Sequence, residues 1–191
     1  MMLRGVLQTI ALLVVCAVVP GCLLNSVHLI SRAPRTKPDG AHAIVVIGMG
    51  LDAPLPYPEF QLTFPEYSRA KQSITGNCFH YTRIEAARPS IPANLSYLAF
   101  EVPANAYVYV SPLNLVDSHL APSPTGHAFI APPGATVYFG DYVFIGNKAV
   151  EFRRDINAAR AGASKLLPPN ALLELAESTA APGARIPLCT P

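Results

Sequence analysis

Polar and apolar positions alternate along much of the chain. Phe60-Gln61-Leu62-Thr63-Phe64 alternates, and so does Tyr97-Leu98-Ala99-Phe100-Glu101-Val102. A period of two predicts strands with one face buried, here the face carrying Leu98, Phe100 and Val102 in the second stretch. Pro103-Ala104-Asn105 supplies turn residues, and Ala106 to Val110 then returns with Val108 and Val110 on one side and Tyr107 and Tyr109 on the other, so a hairpin is predicted. Ala43 to Ile47 predicts another strand, and Cys78 to Glu85 one of mixed polarity. The clearest local signal lies at residues 127–154, where Pro132-Pro133-Gly134 breaks two apolar runs. Within it Gly146-Asn147 separates Tyr142–Ile145 from Lys148–Phe152, a dipeptide class that favours a tight hairpin of primed turn type. Gly140-Asp141 in mid-strand predicts a bulge or a crowded neighbour.

The period changes near the C-terminus. Asp155 can cap a helix over Ile156 to Leu166, with Ile156, Ala159, Ala163 and Leu166 along one face, somewhat weakened by Gly162. Pro168-Pro169-Asn170 ends that helix and offers a cap for a second one, Ala171 to Glu177. The last segment, Ala184 to Pro191, is extended by its prolines. The expected fold is therefore mainly β: a single antiparallel β-sandwich-like domain of about seven strands over residues 42–191, with a short helical C-terminal segment at about 155–177.

Composition agrees with a packed β domain. Of 191 residues, 51% are hydrophobic and 14% charged, and 20 prolines argue against a helical bundle. A net charge of +2 leaves no basic field to hold nucleic acid. Gly48-Met49-Gly50-Leu51-Asp52-Ala53 fits the spacing of a dinucleotide-binding turn, which works only when a helix follows it and points its N–H groups at the pyrophosphate. Pro54, Pro56 and Pro58 forbid that helix. Nucleotide binding is excluded here, and the two glycines mark a bulge, a bend or close packing.

At the other end, Arg4 precedes an unbroken apolar run, Ile10 to Val19, closed by Pro20-Gly21-Cys22, the layout of a secretory signal. Val19-Pro20-Gly21-Cys22 resembles the lipobox of bacterial lipoproteins. That resemblance implies a signal peptide over residues 1–21, diacylglycerol on Cys22, and a tether over 22–41. By the same resemblance, Leu23 after the lipidated cysteine implies outer-membrane sorting, with the domain facing the periplasm. The competing expectation is an uncleaved span over Val6 to Leu24, long enough to cross a bilayer. Arg32, Arg35 and Lys37 follow the apolar run, and in the tether they are solvated cations within reach of headgroups. Pro132-Pro133-Gly134 followed by Tyr138-Phe139-Gly140-Asp141-Tyr142 is similar to small exported β domains, a resemblance that names no activity.

Chemistry is sparse. With Cys16 in the signal and Cys22 lipidated, Cys78 and Cys189 remain, and an even pair in an exported protein is expected to form a disulfide. Cys78-x-His80 lacks the second pair that a tetrahedral metal site needs, and His28, His42, His119 and His127 do not supply one by spacing. Asp117-Ser118-His119 holds the residue types of a nucleophilic triad, but neighbours in a loop point apart. Glu66, Glu85, Glu101 and Asp141 can act as acid and base only where the fold pairs them. The eight tyrosines, Tyr57, Tyr67, Tyr81, Tyr97, Tyr107, Tyr109, Tyr138 and Tyr142, are expected to rim the core with hydroxyls in water, the alternative being a Tyr-rich face for protein or glycan. Pro54 to Pro58 is a stiff loop of polyproline character. No catalytic motif or cofactor site is found, so the leading expectation is a non-enzymatic envelope accessory or binding module. An envelope hydrolase acting on a periplasmic polymer, or a single-pass protein, stands behind it.

Overall fold

The computed structural model describes residues 24–34, 36–77, 80–91, 93–110, 127–146 and 149–181. In chain order these form β1 (His28–Ile30), β2 (His42–Leu51), β3 (Glu59–Ser68), β4 (Ser73–Ile74), β5 (Arg83–Pro89), β6 (Ala93–Pro103) and β7 (Asn105–Val108). Then come β8 (His127–Ala131), β9 (Thr136–Gly146), β10 (Ala149–Arg153), α1 (Ile156–Ala163) with a 3-10 turn at Ser164–Leu166, β11 (Leu173–Leu175) and β12 (Ser178–Ala180). One sheet runs β1-β6-β2-β9-β10, with β11 also on β9; the other runs β12-β8-β7-β3-β4, with β5 also on β3. Their inner faces bury Val45, Ile47 and Met49 of β2, Phe60, Leu62 and Phe64 of β3, Phe100 and Val102 of β6, and Phe139 and Phe144 of β9.

The expected antiparallel sandwich stands, with two parallel pairings set into it: β2 with β9, and β11 with β9. The central strand β2 is buried at every position after His42. Its odd-numbered residues face the sandwich core, while Ile44 and Val46 lie under α1. A strand covered on both faces has no reason to alternate, which explains the unbroken run at 43–47. Helix α1 starts as expected: the Asp155 carboxylate accepts from Asn157 N at 3.0 Å and Ala158 N at 3.1 Å. Its small residues let it lie close to the sheet, Ala159 and Ala163 packing on Ile44, Val46, Ala99 and Tyr138. Gly162 meets the sheet so closely that a Cβ there would stand 2.3 Å from Cε2 of Tyr97.

The glycine signals are resolved in the same way. Beside β2, the register of β9 steps from Tyr138, opposite Val46, to Gly140, opposite Ile47, which is a bulge at the expected site. Gly140 has φ of +151°, and a Cβ on it would meet Phe152 Cε2 at 2.2 Å. Strands β9 and β10 form the expected hairpin, with Ala149 opposite Gly146; Asn147 lies outside the described residues.

Four expectations need correction. The β6–β7 connection is not a hairpin: β6 pairs with β1 and β2, while β7 pairs with β3 and β8, so the chain crosses between sheets at Pro103-Ala104. Alternation reports which face is buried and is silent about which strand lies alongside. Ala171 to Glu177 is not a helix; it contains β11, which pairs parallel with Thr136 to Tyr138 at the start of β9, after Asn170 at φ +61°. The Leu-rich composition favours helix locally, but the edge of β9 ahead of the bulge takes the segment as a partner. The strand expected at Cys78 begins instead at Arg83, and it runs to Pro89 against β3. Part of the expected tether is folded: Leu24 bridges to His80, Val27 packs on the core, and β1 pairs with β6. A three-residue edge strand is too short to show a period.

Candidate functional site

The bulge at Gly140 decides which side chains meet beneath α1. Before it, Val137 and Phe139 point into the sandwich core; after it, Tyr142 and Phe144 do. The alternation is thereby turned over, and Tyr138 and Asp141 come to share the face toward α1. Asp141 is 2% exposed and Tyr138 fully buried. Tyr97 of β6 approaches Tyr138 edge-on, ring centroids 6.4 Å apart at 66°. From β2, Gly48 leaves the room that the carboxyl fills: a Cβ at Gly48 would lie 2.0 Å from Asp141 Oδ1.

The result is a buried carboxyl with two phenols around it. Tyr97 Oη, Tyr138 Oη and Asp141 Oδ1 make no hydrogen bond within the protein. Burial raises the Asp141 pKa above the usual carboxylate range; the Tyr138 phenol, which acts on it without closing a well-formed hydrogen bond, opposes this, Asp155 adds to it, and Arg153 opposes it. Burial, then the charges of Asp141 and Asp155, push the Tyr97 hydroxyl up to about 12, and burial foremost lifts Tyr138 further. Such surroundings favour the protonated form of the carboxyl and of both phenols. At 2% exposure, that carboxyl cannot touch a polymer or peptide in solvent.

Glu66, Glu85 and Glu101 lie apart from Asp141 and from one another. Glu66 accepts from the Asn105 amide, Glu85 accepts from Arg83 Nε at 2.7 Å, and Glu101 lies on β6 opposite His28 and Ile44. Asp39 binds His42 Nδ1 at 2.8 Å, a contact that lowers its carboxyl pKa. One Ser–His contact exists that nothing in the sequence pattern announced: Ser26 Oγ stands 3.4 Å from His80 Nε2, on the surface. No carboxylate orients His80 among the described residues. Between α1 and the Pro168–Leu173 segment runs an open groove lined by Arg160, Ser164, Asn170 and Leu172, where Arg160 is already committed to the Leu173 carbonyl at 3.0 and 3.2 Å.

The tyrosines are placed differently from expectation. Tyr67, Tyr107, Tyr138 and Tyr142 are core residues, and only Tyr57 is well exposed. Their hydroxyls do not all need water: Tyr107 Oη donates to the Pro103 carbonyl at 2.8 Å, an internal partner that lets a tyrosine replace a phenylalanine in a core. Tyr107, Tyr109 and Tyr142 join Phe64, Phe129, Phe139 and Phe152 in one aromatic cluster with centroids 4.9 to 6.4 Å apart.

No family model matches the chain. Searches of curated proteins and of solved structures return no match either. Among the described residues no helix is long and apolar enough to cross a membrane, and no three His, Cys, Asp or Glu side chains gather as a metal site. Cys22, Cys78, Cys189 and Asp117-Ser118-His119 lie outside the described residues.

Proposed function

We propose that the chain is a non-enzymatic accessory or binding module of the bacterial cell envelope, held by diacylglycerol on Cys22 and facing the periplasm from the outer membrane. Its partner is an envelope protein or glycan. The observation that carries the proposal is the apolar run Ile10 to Val19 closing on Gly21-Cys22, set directly before a folded β domain. A binding role is favoured because Asp141, whose carboxyl pKa burial raises, is sealed beneath α1. The test is the intact mass of protein extracted from its native membrane. Cleavage before Cys22 with added diacylglycerol supports the proposal; a mass that retains Met1 and carries no lipid refutes it in favour of an uncleaved anchor. Alkylation of Cys78 and Cys189 only after reduction would establish their disulfide, which closes a loop of about 110 residues and contributes roughly 4 to 5 kcal/mol in the chain-entropy account.

A second reading, an envelope hydrolase, is favoured by the Ser26–His80 contact alone. A histidine that removes the serine proton would make Ser26 a nucleophile. Fluorophosphonate labelling that is lost in Ser26→Ala would support the hydrolase, and absence of labelling in the native protein would remove it.

A further inference from the structure

The described chain begins where a lipid anchor would leave almost no slack. Leu24 bridges to His80, and its carbonyl accepts from Tyr81 N at 3.2 Å. Asn25 grips the same strand from both sides: its Nδ2 donates to the Arg83 carbonyl at 2.8 Å, and its Oδ1 accepts from Arg83 N at 3.1 Å. Val27 enters the core, and β1 continues the first sheet. Residues 24 to 30 therefore belong to the rigid body. Only Leu23 separates Cys22 from Leu24, a reach of about 7 Å for two fully extended residues.

We infer that the domain is seated directly on the bilayer, with the edge formed by Leu24 and His80 against the lipid headgroups. The inference rests on the Cys22 anchor proposed above. A long flexible tether would let the domain swing; this one fixes which pole faces lipid. Leu24 suits that place, its side chain 61% exposed on the protein surface, with exposed His80 beside it. The Ser26–His80 contact lies at the same pole.

The chain has no tryptophan, so Leu24→Trp introduces a single indole, and the exposure of Leu24 leaves the core untouched. Leu172→Trp is the control. Leu172 is also exposed and precedes β11, which lies four strand positions from β1 in the first sheet, about 19 Å away at the usual spacing. Lipidated full-length protein is reconstituted into vesicles of phosphatidylglycerol with either brominated or ordinary phosphatidylcholine, and vesicle flotation is followed alongside fluorescence. Leu24→Trp is expected to lose most of its emission in brominated vesicles while Leu172→Trp keeps its own. A Gly/Ser insert of about ten residues between Leu23 and Leu24, spanning roughly 16 to 19 Å, should restore the Leu24→Trp emission. Equal emission from both variants on floating vesicles overturns the seating but leaves the anchor. Protein that carries no lipid and does not float overturns the anchor, and the seating with it.

Discussion

Replacing Gly140 by alanine should cost more than any ordinary strand substitution, because its backbone conformation and two neighbours, Phe152 and Arg153, oppose it. Its φ of +151° is one that side chains rarely adopt, a strain on the order of 1–3 kcal/mol. The new Cβ would stand 2.2 Å and 2.8 Å from two atoms of the Phe152 ring and 3.0 Å from the Arg153 carbonyl oxygen. The ring is 42% exposed and can yield, but yielding disturbs its contacts with Tyr142 and Phe129, whose centroids lie 5.0 and 6.0 Å away. Such aromatic pairs are worth about 0.5–1.5 kcal/mol each. Together these give a loss of about 2–6 kcal/mol, a large share of the ~5–15 kcal/mol that holds a typical domain folded. Urea unfolding of wild type, Gly140→Ala, Phe152→Ala and the double variant measures it. In the Phe152→Ala background the penalty should fall to the backbone share. A single-variant loss below about 1 kcal/mol, or an unchanged penalty without the ring, would refute the crowding account.

Three further outcomes are expected. Asp141→Asn tests the buried carboxyl: the folded-state pKa lies above the unfolded one, so the native state holds the extra proton and wild-type stability falls as pH rises through that window. The variant should therefore gain on wild type as pH rises above the ordinary carboxylate range, and parallel unfolding curves would show that Asp141 titrates normally. Gly162→Ala, which would stabilise a free helix by up to about 1 kcal/mol, should instead destabilise by about 1–3 kcal/mol because Tyr97 must move; a higher melting temperature would contradict this. Leu62→Ala, at a fully buried core position, should cost about 2–5 kcal/mol in the same urea assay, and a loss under 1 kcal/mol would mean the sheets do not pack there.

What the residues disclose in advance are local demands. The alternation at 60–64 and 97–102 marks true inner faces, Gly140 marks a true bulge, and Asp155 caps a true helix. Partner choice is a different kind of information. Leu98, Phe100 and Val102 look the same whether the next strand lies alongside or in the facing sheet, so the crossing at Pro103 was hidden. The Leu-rich segment at 173–175 was captured by β9, a tertiary effect that no window of local residues contains. The candidate site was legible only in part: Asp141 stood out beside Gly140, but the turnover of alternation that sets Tyr138 on its face, and the approach of Tyr97, follow from three-dimensional packing. Ser26 and His80 meet across 54 positions with no motif linking them.

The parallel pairing of β2 with β9 also has a temporal side. Ile44 finds its partner Thr136 across roughly 90 intervening residues, so the middle of the first sheet closes late and folding should be slow for the chain's size. Until then β2, ten residues without a charge at neutral histidine, is an apolar segment with an open edge, the kind that pairs with copies of itself. The antiparallel partner β6, some fifty positions on, shields one edge in the interval. A chain truncated before β9 should thus be the form most dependent on a holding chaperone.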